Sequence, residues 1–469
     1  MAKSSAFMYG TAGAVLVGLT AALTACMETT GSTSKPESLQ AYAQAQPSQA
    51  QPPAPAVPAT VAPSPNPIPS ALREWTGEDG SSGHPLMKAS AIRAAAANFQ
   101  NCLEGMFPLA AKRGVTRASF DKHAKGLTPD LRIMDLVDAQ PEFTKAFWDY
   151  LDILVNDARV ANGQEMLAKH KAAFDKVEKA YGVDRHFVTA IWGVESNYGT
   201  LGGDRSVLRS TATLACVGRR QAYFRDEFLA ALDILHRGDV RPEQLKGSWA
   251  GAFGPTQFMP TSFKRFAVDF DGDGRRDVVD TPIDMIASTA NNLKKDGWVT
   301  GATWGYEVVV PKGFNFLLAD RSKQMSLAEW AKLGIKRPGG KPFPRPDDKG
   351  YLLVPAGNQG PGFIMLHNFR VIMKYNPAEA YALAIGHLAD RLQGGAPFVQ
   401  AWPRHEAVLS REERRELQEL LLKKGFDGGQ PTGRLGPKSR AAIRDFQASI
   451  GLTPDGFATA TILARLRSR

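Results

Sequence analysis

His186-Phe187-Val188-Thr189-Ala190-Ile191-Trp192-Gly193-Val194-Glu195-Ser196-Asn197-Tyr198-Gly199 is the stretch from which the rest of the chain is best read. Its apolar residues recur at three- and four-residue spacing, which predicts a helix over 186–196 with Val188, Ile191, Trp192 and Glu195 in one stripe. Glu195 thus continues an apolar face. A carboxyl held against aliphatic and aromatic groups is destabilised in its charged form, so its pKa should rise toward what a general acid needs near neutral pH. Ser196-Asn197-Tyr198-Gly199 brings cap-compatible residues and a glycine that end the helix and leave the carboxyl at a cleft edge. The competing reading is a structural Glu satisfied by a buried partner.

Outward from this helix, helical periodicity begins near Ser90 and runs through Phe99, Leu103, Phe107 and Leu109, then Phe143 to Val155 and Met166 to Tyr181. The region from 90 to 300 reads as mostly α. Val308-Val309-Val310 and Tyr351-Leu352-Leu353-Val354 sit among Gly and Pro, which suggests a small β element or loop excursion before helical spacing returns from Asn368 to Leu392. The expected fold class is therefore mainly α (α+β), with a further small helical unit after the Gln393-Gly394-Gly395 breaker. No internal repeat signals a solenoid.

The 469 residues allow two or three domains, and 43% hydrophobic with 22% charged is an ordinary globular balance. A net charge of +10 suits an anionic partner without choosing among lipid, nucleic acid and a carboxylated polymer. The run Arg411-Glu412-Glu413-Arg414-Arg415-Glu416 interleaves its signs and reads as a solvated helix face. Lys3, the apolar run Ala12 to Leu23 and Leu23-Thr24-Ala25-Cys26 describe a secretory leader, too short to anchor by spanning. From Pro36 to Pro69 the chain holds ten of its 31 prolines, and no charge lies between Glu37 and Arg73, the composition of an extended tether. In an exported chain Cys102 and Cys216 either pair as a disulfide or stay as two buried thiols, and the sequence cannot supply their separation.

The leader's ending resembles the lipobox of bacterial lipoproteins, which implies Cys26 as an acylated lipid anchor. Met27 in place of Asp favours the outer membrane. Gly193 to Gly199, then Gly247-Ser248-Trp249-Ala250-Gly251-Ala252-Phe253-Gly254-Pro255-Thr256-Gln257-Phe258-Met259-Pro260, then Tyr375-Asn376, resemble in order and spacing the signature blocks of the membrane-bound lytic murein transglycosylase B family. The likeness runs from about Ile92 to Leu392. It implies a lysozyme-like domain that cleaves the MurNAc-GlcNAc β-1,4 bond of peptidoglycan without water, leaving 1,6-anhydroMurNAc ends, with Glu195 as single acid/base and no cofactor for catalysis. By motif position Tyr198, Ser248, Gln257, Tyr375, Asn376 and Tyr381 would meet the saccharide, while Arg219 and Arg220 would meet the peptide stem, guanidinium forks suiting carboxylates.

Asp269-Phe270-Asp271-Gly272-Asp273-Gly274-Arg275-Arg276-Asp277-Val278-Val279-Asp280 fits an EF-hand calcium loop, with Asp269, Asp271, Asp273, Arg275, Asp277 and Asp280 at its ligand positions. Asp280 is shorter than the usual Glu, which weakens the site. A structural Ca2+ is expected there, against an Asp/Gly-rich turn that holds only water. From Leu409 to Leu466, Gly436-Pro437-Lys438-Ser439-Arg440, Phe446-Gln447 and Asp455-Gly456 resemble a three-helix peptidoglycan-binding domain, whose role would be substrate retention.

The expected organisation is a signal peptide over 1–26, a tether over 27–85, a catalytic domain over 86–395, a linker over 396–405 and a wall-binding domain over 406–469. Partners would be glycan strands, the membrane through its anchor and other wall enzymes, for a monomer at the periplasmic face of a Gram-negative envelope. No compact basic and aromatic stripe suggests nucleic acid. Two rivals stand beside this reading: a lysozyme-type muramidase using water with Asp204 or another acid as partner, and a non-catalytic peptidoglycan-binding scaffold.

Overall fold

The computed structural model describes residues 75–80, 82–137 and 146–468; the leader, Cys26, most of the expected tether and Phe143 lie outside the described residues. Among the described residues no helix is long and apolar enough to cross a membrane. The architecture is a helical body, a small antiparallel sheet set into it, and a three-helix unit at the C-terminal end.

The helix Arg185–Ser196 lies at the centre of the body, with Phe187, Val188, Ala190, Ile191 and Trp192 all in the main core. Asp184 caps its start by accepting from the His186 N–H, and Asn197 ends it in the left-handed conformation. It packs on Glu379–Leu392 and Asp157–Lys169 and touches Pro282–Lys295. The approach to Asp157–Lys169 needs glycine: a Cβ on Gly163 or on Gly193 would lie 2.3 or 2.6 Å from the Tyr198 hydroxyl threaded between them.

The long N-terminal periodicity is broken into Ala89–Ala97, Phe99–Glu104 and Phe107–Lys112, and Leu109 faces solvent at 37% exposure. Apolar spacing carried across these breaks because Ile92, Leu103 and Ala110 each reach the core from a different short helix. Cys102 and Cys216 form a disulfide with Cα atoms 6.0 Å apart, joining Phe99–Glu104 to the end of Val207–Cys216.

The excursion after residue 300 is a sheet of β3 (Gly305–Val308), β6 (Gly362–Met365), β5 (Lys349–Leu353) and β4 (Met325–Ser326), antiparallel in that order, while β1 (Arg205–Ser206) and β2 (Lys246–Gly247) form a separate ladder. Its alternation serves two cores. Leu352 and Ile364 face a small cluster with Trp330 and Phe316, whereas Tyr351, Leu353, Phe363 and Met365 join the helical core.

The segment expected as a linker, 396–405, is seated on this body. Phe398 stacks on His387 at 3.8 Å, Trp402 packs on Trp148 and Phe363, and the Val399 and Gln400 amides donate to Glu307. The C-terminal unit, Arg411–Lys423, Pro437–Ser449 and Ala460–Arg467, has its own core around Leu417, Ile443, Phe446 and Leu463. Of the solvated face expected over 411–416 only Glu412 is exposed; Arg411, Glu413, Arg415 and Glu416 are half-buried, and Arg414 is 9% exposed where it lines a cavity against the catalytic body.

Near the end of Glu379–Leu392, burial, with some help from Asp184, pushes the Asp390 carboxyl up to about 6 although the Trp304 Nε1 donates to it at 3.0 Å. The neutral form thus stabilises the fold fully below the unfolded value of roughly 4, and that stability is lost as pH rises through about 6. Asp390→Asn, which keeps an acceptor for Trp304, should remove this loss and leave the variant about 1–2 kcal/mol more stable than wild type above pH 6 and equal to it at acid pH. Urea unfolding on both sides of that window checks it, and parallel curves would refute it.

Candidate active site

Glu195 sits one residue before the end of its helix, half-buried. Three sequence blocks far apart in the chain meet around it. Ser196 Oγ donates to the Pro255 carbonyl at 2.5 Å and accepts from the Gly199 N–H, tying the helix end to the second block. Gln257 Nε2 donates to the carbonyls of Gly202 and Gly254 at 3.1 and 2.9 Å. The β1–β2 ladder pairs Arg205 with Gly247, and Gly203 approaches so closely that a Cβ there would lie 2.4 Å from the Gly247 oxygen. The third block closes the ring: Tyr375 Oη donates to the Thr256 carbonyl at 2.5 Å, and Tyr381 Oη donates to Glu195 Oε1 at 2.6 Å.

The backbone around the carboxyl is held in sparsely populated conformations. Among the described residues four non-glycines have positive φ, namely Asn197 (49°), Tyr198 (59°), Arg220 (64°) and Gln257 (53°). All four belong to stretches singled out by motif position. Each costs of order 1 kcal/mol, which the surrounding hydrogen bonds offset.

Burial, reinforced by the charge of Glu195, pushes the phenols of Tyr375 and Tyr381 well above their ordinary range. Both therefore stay protonated at any working pH. A neutral Tyr381 hydroxyl fixes one carboxyl oxygen of Glu195, so the group is oriented by a donor that cannot itself take the proton.

The other anticipated residues fall in three places. Ser248 lies in the second block, its Oγ accepting from the Ala252 N–H at 3.1 Å, and Asn376 ends His367–Tyr375 with its Oδ1 accepting from Ala378. Tyr198 turns inward: its hydroxyl donates to the Arg159 carbonyl at 2.8 Å, so this phenol packs the helix crossing. Arg219 and Arg220 form the turn before Gln221–Arg237, where Arg219 donates to the Val137 carbonyl and Arg220 lies 4.5 Å over the Tyr223 ring. Asp204, the partner considered for a water-using mechanism, is exposed.

Sequence reasoning missed Thr256 and Arg159. Thr256 is buried, supplies the carbonyl that holds Tyr375, and shares a hydrogen bond with Thr289 at 3.1 Å. Arg159 reaches Asn197 at 3.4 Å from a helix with no motif of its own.

In the acidic loop Asp269, Asp271 and Asp273 offer carboxylate oxygens within 4.8 Å of one another, a donor set that suits a hard cation. Asp277 and Asp280 are placed differently from the EF-hand expectation. Asp277 accepts from the Val279 and Asp280 amides and pairs with Arg275, and Asp280 turns to Gln244 and Arg241. Buried Asp284, which the sequence did not flag, binds both ends of the loop through the amides of Phe270 and Asp277.

Comparison with known proteins adds to this geometry. The transglycosylase SLT domain family matches residues 98–390, and a family described as a putative peptidoglycan binding domain matches residues 410–466. Membrane-bound lytic murein transglycosylase B of Escherichia coli (strain K12) is 30% identical over 309 residues, spanning 63% of this chain and 83% of that protein. SltB3 from Pseudomonas aeruginosa, solved in complex with NAG-anhNAM-pentapeptide, is 44% identical with a TM-score of 0.76, covering 79% of this chain and 99% of that one. The Escherichia coli lytic transglycosylase Slt35, solved in complex with calcium, is 29% identical with a TM-score of 0.55, over 63% of this chain and 92% of that one.

Proposed function

Since the chain belongs to the transglycosylase SLT domain family and is a peptidoglycan lytic transglycosylase, we propose that Glu195 is its single acid/base. The observation that carries this reading is the 2.6 Å hydrogen bond from the neutral Tyr381 hydroxyl to Glu195, where three separate blocks converge. In the first step Glu195 gives its proton to the glycosidic oxygen and the bond from MurNAc C1 breaks. The MurNAc C6 hydroxyl then attacks C1 while Glu195 takes that hydroxyl's proton, so the carboxyl ends as it began and no water is consumed. A hydrolase would need a second carboxylate as nucleophile or as base for water; here positioning replaces it.

Ser248, Gln257, Tyr375 and Asn376 are the uncharged groups we assign to the saccharide, and Arg219 with Arg220 to the stem. Mass spectrometry of muropeptides released by the purified protein tests the chemistry. Anhydro ends are expected, lighter by one water than reducing ends, and reducing ends alone would overturn the reading.

Catalysis in this family needs no cofactor. We assign a structural cation, calcium by chemistry, to Asp269, Asp271 and Asp273. Calcium at about a hundred times its Kd should stabilise the protein by roughly 3 kcal/mol, and Asp271→Ala should remove that increment. Equal melting with calcium and with EDTA would sink it. We further place the enzyme in the cell envelope, with its C-terminal domain retaining wall polymer and Cys26 as a lipid anchor in the outer membrane. Palmitate labelling that persists in Cys26→Ser would exclude the anchor.

A further inference from the structure

The C-terminal three-helix unit is docked on the catalytic body by buried charge as well as by apolar contact. Arg444, 5% exposed, donates to the Ala319 carbonyl at 3.1 Å and to Asp320 at 3.2 Å. Asp455, also buried, accepts from the Asn358 N–H at 3.1 Å, and the backbone comes so close there that a Cβ on Gly357 would lie 2.3 Å from that carboxylate. Phe457 packs against the cluster of Ala146, Trp148 and Ala356. A unit whose charged groups are desolvated against the body is held to one seating, because shifting it would leave them without partners.

A further tie lands beside the catalytic ring. Arg440 of the C-terminal unit donates to Glu379 at 2.7 Å, and Arg321 of the body donates to the other oxygen of the same carboxylate at 2.7 Å. Glu379 is buried; burial opposes its ionisation, but Arg440 and Arg321 outweigh it and hold its pKa below the ordinary value. It is also the first residue of the helix Glu379–Leu392, whose start carries no side-chain cap. Two residues on, in the same turn, the buried Tyr381 donates to Glu195. The turn that aims this phenol is thus held at its head by a carboxylate clamped between two guanidinium groups, one from each domain.

We propose that Arg440 is a positioning residue for glycan cleavage, seating Glu379 and through it the Tyr381 hydroxyl on Glu195. The inference rests on the acid/base reading above and extends the support of the active site into the C-terminal domain. With Arg440 gone, Glu379 would keep Arg321 alone and the first turn would settle toward that one partner. A small displacement of a positioned group costs rate out of proportion to its effect on stability. A domain that only retains polymer should act on KM, whereas one that positions the acid's partner should act on kcat.

The test is steady-state cleavage, by the full chain, of a soluble tetrasaccharide of alternating GlcNAc and MurNAc with its stem peptides. Arg440→Met should lower kcat about tenfold with KM little changed, and Arg440→Lys, which keeps a cation for Glu379, should recover most of the loss. In Tyr381→Phe the hydroxyl that Arg440 serves is already gone, so adding Arg440→Met should cost no more than about twofold further. A kcat for Arg440→Met within about twofold of wild type overturns the proposal. So does a loss confined to KM, a Lys variant no better than Met, or losses that multiply in the double variant. Glu195→Gln in the same assay keeps the two readings apart. Turnover retained there sinks the acid/base assignment, whereas turnover lost there with Arg440→Met fully active sinks only the role of Arg440.

Discussion

Glu195→Gln should lower turnover of purified sacculi by about a thousandfold or more while leaving sacculus binding and thermal stability close to wild type. The amide has the shape of the carboxyl and can still accept from the Tyr381 hydroxyl, so the ring of contacts among the three blocks is kept. What it cannot do is give a proton to a leaving oxygen and take one from an attacking hydroxyl. Tyr381→Phe is the informative companion. It keeps the acid but frees one carboxyl oxygen, so kcat should fall about tenfold with KM little changed. Soluble muropeptide release, quantified by chromatography, reads both. A Gln variant retaining a tenth or more of wild-type turnover would remove Glu195 from the mechanism, and with it the single-carboxylate chemistry.

The second large effect concerns stability. Cys102 and Cys216 are 114 positions apart, and chain-entropy reasoning puts a closed loop of this size at roughly 4–5 kcal/mol, with measured values for native disulfides about 2–5. The bond fastens the short N-terminal helices to Val207–Cys216, deep in the body. Those helices are six to nine residues long and marginal alone, so they depend on this fastening and on Phe99 and Leu103. Cys102→Ala with Cys216→Ala should lower Tm by about 5–10 °C, with glycan cleavage at room temperature largely kept. Differential scanning calorimetry of oxidised and double-variant protein decides it, and a difference under about 1 °C would show that packing alone holds this lobe.

The helix carrying Glu195 was legible because its stripe belongs to one continuous segment and its stop is written in the next four residues. The hydrogen bond that orients Glu195 was not, since its two partners lie 186 positions apart and Tyr381 reads as an ordinary core residue of its helix. That assignment came from resemblance rather than from periodicity. The sheet was only half visible: with β5 and β6 buried on both faces, the polar-apolar alternation that marks a strand disappears. Arg414 reversed its expected environment for the converse reason, because a charged residue in a mixed-charge run carries no mark of a second domain lying against it. In the acidic loop composition located the three gathered carboxylates, but the turns of Asp277 and Asp280 toward Arg275, Arg241 and Gln244 depend on neighbours that spacing does not reveal.

Because alternate residues of β5 and β6 belong to different cores, the segment from 305 to 365 cannot be treated as a removable cassette. Deleting it would strip Tyr351, Leu353, Phe363 and Met365 from the helical body and open apolar surface near Trp304. Exchange with a homologous segment is tolerable on the Trp330 side alone, where the small cluster is closed on itself, so the two faces of one strand should diverge at different rates as such enzymes are recombined or evolve.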